Sequence, residues 1–132
     1  MTGATCVFVV DADPSARSGL ARLVRTAGHD SRDFASVSDF LDALGSEVTG
    51  CVVLDAGMPG LTGEELQAEL EARGAHLPVI VVTTHDDPET RRKAKQMKAV
   101  GFFGKPVDGT ALLNAIDWAM HSNSVDGNRE NV

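Results

Sequence analysis

Three unbroken apolar runs, Cys6–Val10, Cys51–Leu54 and Val79–Val82, each stop at a polar side chain: Asp11, Asp55 and Thr83. A strand with one wet face alternates apolar and polar residues, whereas a run that is apolar at every position belongs to a strand covered on both faces. Covering both faces takes helices above and below, and helical segments stand between the runs. Pro14 opens one of them, where its missing N–H costs nothing. Leu20, Leu23, Val24 and Ala27 fall on one face of it, and Gly28 stops it. Ser36 or Ser38 caps a second helix, with Val37, Phe40, Leu41 and Leu44 inward. Leu66 and Leu70 mark a third, after a loop containing Gly57, Pro59, Gly60 and Gly63. A fourth is crowded with Arg91, Arg92, Lys93, Lys95 and Lys98, and a fifth, over about 109–121, presents Leu112, Leu113, Ile116 and Met120.

Two weaker extended segments complete the alternation. Residues 31–35 carry Phe34 as their one large hydrophobe, and Phe102-Phe103 form a short run before Lys105-Pro106. Strand and helix alternating five times predict an α/β domain built on a parallel sheet. The weakly apolar second and fifth strands belong at the edges and the other three inside. That gives a doubly wound five-stranded sheet of order 2-1-3-4-5, the flavodoxin-like (βα)5 arrangement. A chain of 132 residues has room for one such domain. We place it at 1–121, with the polar, Asn- and Ser-rich residues 122–132 as a tail or the start of a linker.

Composition narrows the function. A formal net charge of −7 argues against an extended nucleic-acid footprint, which needs clustered Lys and Arg. Cys6 and Cys51 sit inside apolar runs and read as buried free thiols rather than a disulfide framework or metal knuckle. The N-terminus lacks the pattern of a signal peptide, and no apolar run approaches the ~20 residues that span a bilayer. A cytoplasmic location without membrane contact is therefore expected. The four histidines, His29, His76, His85 and His121, show no ligand spacing, and the glycines form no dinucleotide or Walker loop. The basic fourth helix, with five of the 12 Lys and Arg, reads as a solvated face or as a dock for an acidic partner or a following domain.

In a doubly wound sheet the ligand crevice lies beyond the carboxyl ends of the strands, where the strand order reverses. Four strands deliver a polar side chain to that rim: Asp11, Asp55, Thr83 and Lys105. Singly, each has an ordinary reading as a cap, a turn former, a β-branched strand residue or a loop cation. Together they describe a chemistry. Two carboxylates with a backbone carbonyl suit Mg²⁺, which prefers hard oxygen and phosphate ligands. A carboxylate can also act as a nucleophile and form an aspartyl phosphate. Lys105 would offset phosphoryl charge and Thr83 would offer a hydrogen bond. Gly57 would let the backbone come close.

At this point the sequence resembles the receiver domains of two-component response regulators. The resemblance is carried by Val9-Val10-Asp11, Val53 through Gly63, Pro78 through Thr83, and Gly101 through Pro106, and it covers residues 5 to about 121. The loop from Met58 to Glu65 looks most like the receivers of nitrogen-fixation-type regulators. The resemblance implies that Asp55 accepts a phosphoryl group from a sensor histidine kinase or phosphotransfer protein. It implies that Asp11, Asp55 and the Gly57 carbonyl hold Mg²⁺, and that Ala56, Thr83, Thr84 and Lys105 contact the phosphate. Thr83 and Phe102 would then be the switch pair, with a cis bond before Pro106. The fourth helix, fifth strand and fifth helix would form the output surface, read by a downstream domain or a second copy. The only chemistry implied is the domain's own phosphorylation and dephosphorylation, not that of a turnover enzyme.

The sequence departs from the family at Ala12, where a second acid ordinarily binds the metal. Asp13 follows, but adjacent residues leaving a strand point in different directions, so it is at best a partial replacement. Losing one oxygen ligand and one charge predicts weak Mg²⁺ binding. The harsher alternative is a degenerate receiver that works by protein contacts without phosphate. Thr84 is a smaller departure, bulkier than the family's usual residue. A third reading takes Asp11-Ala12-Asp13 as the nucleophile motif of a haloacid-dehalogenase-type phosphatase, with Asp11 as nucleophile and Asp13 as acid/base. Against it, the acidic pair Asp86-Asp87 precedes Lys105 rather than following it, and the Asp55 loop goes unexplained.

Overall fold

Strands that are apolar at every position need two covers, and the computed structural model, which describes residues 5–45, 48–58 and 63–124, supplies both. The elements run β1 (Thr5–Val10), α1 (Pro14–Thr26), β2 (Ser31–Phe34), α2 (Val37–Ala43), β3 (Thr49–Asp55), α3 (Gly63–Ala72), β4 (Val79–Thr83), α4 (Pro88–Gln96), β5 (Gly101–Gly104) and α5 (Gly109–Ser124). The sheet has the order β2-β1-β3-β4-β5, and every pairing is parallel. This is the expected doubly wound arrangement.

Because successive strand residues point to opposite faces, each run feeds two cores at once. Cys6, Phe8, Val10, Val52, Leu54, Val79 and Val81 pack with α2, α3 and α4 through Val37, Phe40, Leu66, Leu70, Ala94 and Met97. Val7, Val9, Cys51, Val53, Ile80 and Val82 pack with α1 and α5 through Leu20, Val24, Leu112, Ile116 and Ala119. Burying each large aliphatic side chain stabilises the fold by about 1.5–3 kcal/mol. The sheet is therefore clamped between two layers, and its carboxyl-terminal rim is held rigidly.

Several boundaries differ from those the sequence suggests. Of the two candidate caps of α2 it is Ser36 that serves, its hydroxyl accepting the Asp39 N–H at 3.0 Å. Ala27 is the exposed C-cap of α1 rather than part of its inner face, and Gly28 follows with φ of 95°. Gly63 opens α3 instead of ending the loop, while Pro59 and Gly60 lie outside the described residues. Helix α5 continues to Ser124, three residues past the expected end, because no Gly or Pro occurs before Gly127. Residues 125–132 of the expected tail lie outside the described residues.

One constraint was not legible in advance. Gly50, inside β3, has φ of 132°, and a Cβ added there would sit 1.8 Å from the Cys6 carbonyl oxygen on β1. Gly50→Ala is expected to destabilise the fold by more than about 3 kcal/mol, since both the dihedral and the space forbid it. Denaturant unfolding of the variant checks this, and a midpoint unchanged from wild type would contradict it. The two thiols give a second test. Both are buried, and burial pushes the Cys51 thiol up to about 12 and the Cys6 thiol above its ordinary value. Neither is expected to react with Ellman's reagent in the native protein, and both are expected to react once it is unfolded in urea.

Candidate functional site

The rim of the sheet is assembled where β1 and β3, adjacent in space, lead their helices away to opposite faces. Asp11 is the first residue beyond β1, and its N–H still donates to the Phe34 carbonyl of β2 at 3.0 Å. Its side chain is fully buried, with 0% exposure. A carboxylate taken out of water needs partners for both oxygens. Oδ1 accepts the Asp13 N–H at 3.0 Å, and Oδ2 accepts the Lys105 ammonium at 2.7 Å. Asp55 ends β3 with its side chain 18% exposed, so it is the member of the pair that reaches the surface. Its Oδ1 accepts the Gly57 N–H at 3.1 Å, and its Oδ2 lies 3.7 Å from Lys105 Nζ. Burial pushes the Asp55 carboxyl above the ordinary carboxylate value; the Gly57 N–H lowers it, the Asp11 charge raises it and Lys105 lowers it.

Lys105 comes from the far edge. Its backbone N–H donates to the Thr83 carbonyl at 2.7 Å, and its bond to Pro106 is cis. One ammonium thus faces two carboxylates. Thr83 is buried at the end of β4, and its hydroxyl accepts the His85 N–H at 2.9 Å and donates to the His85 carbonyl at 3.1 Å. Thr84 is exposed, its hydroxyl 3.0 Å from His85 Nδ1. Phe102 is half-buried in β5.

The structure brings Asp11, Asp55 and Lys105 into contact, and the other predicted residues make local bonds around them. Asp13 is exposed and caps α1, its Oδ1 accepting the Ser15 N–H at 3.1 Å. Ala12 is exposed beside it. The Ala56 N–H donates to the Val82 carbonyl at 2.9 Å, extending the β3–β4 pairing by one residue. Gly57 has no positive φ, and an added Cβ would stand 3.6 Å from Asp55 Oδ1, an ordinary van der Waals distance. Arg17 was not singled out from the sequence, and Arg91 was read there only as part of a basic helix face. Arg17 donates from Nη1 to the Asp11 carbonyl at 2.8 Å and lies 3.7 Å from Asp33, pinning the turn after β1. Arg91 pairs with Asp86. The signal for the second pair was present in the spacing, five residues apart across a helix start.

Among the described residues no group of three His, Cys, Asp or Glu side chains converges as a metal cage. Two carboxylates sharing one ammonium still fit Mg²⁺, a cation commonly held by one or two carboxylates with water and phosphate completing the shell. No helix among the described residues is long and apolar enough to cross a membrane.

Comparisons with known proteins extend these observations. The family model described as the response regulator receiver domain matches residues 7–117. The transcriptional regulatory protein FixJ of Azorhizobium caulinodans is 38% identical over 126 residues, covering 96% of this chain and 60% of that protein. The transcriptional regulatory protein TdiR of Thauera aromatica is 38% identical over 128 residues, covering 97% of this chain and 56% of its own length. The solved response regulator StyR superposes with a TM-score of 0.80 at 40% identity, over 96% of this chain and 64% of that one. The chain thus spans less than two thirds of each of these relatives. A match of that length and identity, on a sheet wound in the 2-1-3-4-5 order, makes this chain a member of the response regulator receiver domain family of two-component systems.

Proposed function

We propose that this receiver is a phosphorylation-driven switch in which Asp55 takes a phosphoryl group from the phosphohistidine of a sensor kinase or phosphotransfer protein. The observation that carries the reading is the asymmetry of the carboxylate pair: Asp11 is sealed with both oxygens bonded, while Asp55 reaches solvent beside the same lysine. An Asp55 oxygen would attack phosphorus, forming the O–P bond as the N–P bond breaks, and the leaving imidazole would take its proton from solvent. Lys105 would offset charge on the transferring oxygens. A Mg²⁺ held by Asp11, Asp55 and the Gly57 carbonyl would neutralise further phosphoryl charge. Thr83 would exchange its bonds to His85 for one to the phosphoryl group, and Phe102 would follow, altering the surface of α4, β5 and α5. The reader of that surface would be an output domain or a second copy of the chain, in the cytoplasm.

The same asymmetry speaks against the dehalogenase-type phosphatase. That reading needs Asp11 as a free nucleophile and Asp13 as an acid/base, yet Asp11 is buried in its ion pair and Asp13 is committed to capping α1. The degenerate reading keeps one supporting observation: Lys105 already compensates the Asp11 carboxylate, and Ala12 adds no third acid.

Intact-mass analysis with acetyl phosphate over a Mg²⁺ series, beside Asp55→Asn, separates the two. A Mg²⁺-dependent phosphoryl adduct absent from the control is expected, and Ala12→Asp should lower the Mg²⁺ midpoint by about an order of magnitude, by adding ligand charge. No adduct from folded wild type at any Mg²⁺ concentration would favour the degenerate receiver.

Stability should report the charge balance with opposite signs. Lys105→Met strands a buried carboxylate and is expected to destabilise by about 3 kcal/mol or more. Asp55→Asn is expected to raise the melting temperature at neutral pH. Because the folded-state value of Asp55 is raised, the native state binds more protons than the unfolded state above the ordinary carboxylate value. Wild type therefore loses stability as pH climbs through the raised value. The advantage of Asp55→Asn should shrink as pH falls into the ordinary carboxylate range, and a constant difference across pH would contradict it.

A further inference from the structure

Arg91 turns its guanidinium back across the start of α4 onto the Asp86 carboxylate, through Nε to Oδ1 at 2.6 Å and Nη2 to Oδ2 at 2.8 Å. Asp87 is the N-cap of that helix and accepts the Thr90 N–H at 2.8 Å, which puts Asp86 just before the cap and Arg91 at the fourth helical position. In many helices a hydrophobic pair at this spacing staples the incoming chain to the first turn. Here the staple is ionic. The same guanidinium lies over the Phe102 ring, 4.7 Å from its centroid. A planar guanidinium can offer its edge to a carboxylate and its face to a ring at once, which an ammonium cannot.

The loop between Thr83 and Asp86 is thereby held at both ends. The Thr83 hydroxyl bonds the His85 backbone at one end, and Asp86 is tied to Arg91, and through it to Phe102, at the other. We infer that Arg91 is a positioning residue that clasps Phe102 of β5 to the β4–α4 loop, so that the loop and the ring rearrange together. Both halves of the clasp are accessible, with Arg91 59% and Asp86 49% exposed. Exposed ion pairs and cation–π contacts bias an equilibrium a few-fold, not by orders of magnitude. That is the strength required of a contact that holds a resting arrangement and still opens. The inference rests on the proposed phosphorylation of Asp55 for what opens the clasp.

The test uses the chain labelled with 4-fluorophenylalanine, whose five phenylalanines give five fluorine resonances. The Phe102 signal is the one lost in Phe102→Leu, and Arg91→Gln marks its unclasped position. Asp86→Asn leaves the guanidinium in place but removes its charged anchor. In that variant the Phe102 signal is expected to move toward the unclasped position, and high salt is expected to move the wild-type signal the same way. Arg91→Lys keeps the charge without the fork and should resemble Arg91→Gln. A Phe102 signal unmoved by Asp86→Asn, or an Arg91→Lys protein indistinguishable from wild type, overturns the clasp.

Phosphorylation by acetyl phosphate gives the functional arm. Asp86→Asn and Arg91→Gln should each speed formation of the Asp55 adduct roughly threefold, with no further gain in the double variant. Fluorine coupling with unchanged rates would overturn the role of the clasp in switching. Absence of an adduct from wild type and variants alike would overturn the phosphorylation reading instead, and the fluorine arm would then decide the clasp alone.

Discussion

A carboxylate with no exposed surface at the end of a central strand must find a counter-charge, and Lys105 brings it to Asp11 from 94 residues away along the chain. Removing a carboxylate from water is costly without partners, and both Asp11 oxygens have one, the Asp13 N–H and the Lys105 ammonium. That pair reaches from β1 across β3 and β4 to the turn after β5, closing the rim of the sheet. Asp55 sits inside the closure, near enough to feel both charges and open enough to meet solvent.

The rest of the fold serves to keep that rim in register. Apolar runs that feed two cores hold the three inner strands from both faces, so the ends of β1, β3 and β4 cannot slide independently. Caps then fix how each helix leaves. Asp13, Ser36 and Asp87 each accept a backbone N–H at a helix start, and all three directions of exit are set by side chains within two residues of a strand or loop end. The polar work of the rim and the apolar work of the sheet are thus done by neighbouring residues of the same strands.

The departure at Ala12 takes its meaning from this geometry. With a third acid absent, the described site carries two carboxylates and one ammonium, and the ammonium bonds the buried carboxylate more closely than the exposed one. Arg17 adds a second cation at the Asp11 carbonyl. The pocket therefore carries one acid fewer than the family ordinarily places there, and any phosphoryl or metal ligand meets a lysine that is already engaged.

Asp11, Asp55, Thr83 and Lys105 were legible because each ends a strand or directly follows one, and in a doubly wound sheet strand ends converge by topology alone. Helix faces such as Val37, Phe40 and Leu41 followed from spacing. Gly50 did not, because nothing local shows that the Cys6 carbonyl of a strand distant in sequence occupies the space of its missing side chain. Nor could the motif show the local bonds of Ala56, Gly57 and Asp13, whose partners are the Val82 carbonyl, the Asp55 carboxylate and the Ser15 N–H. The amino-acid sequence by itself determined the α/β class, the strand order and which side chains arrive at the rim, since hydrophobic period and strand termini are local properties. Only the tertiary structure decided which carboxylate is sealed, which is exposed and which partners each donor takes, because burial and hydrogen bonding depend on atoms that meet only after the sheet has closed.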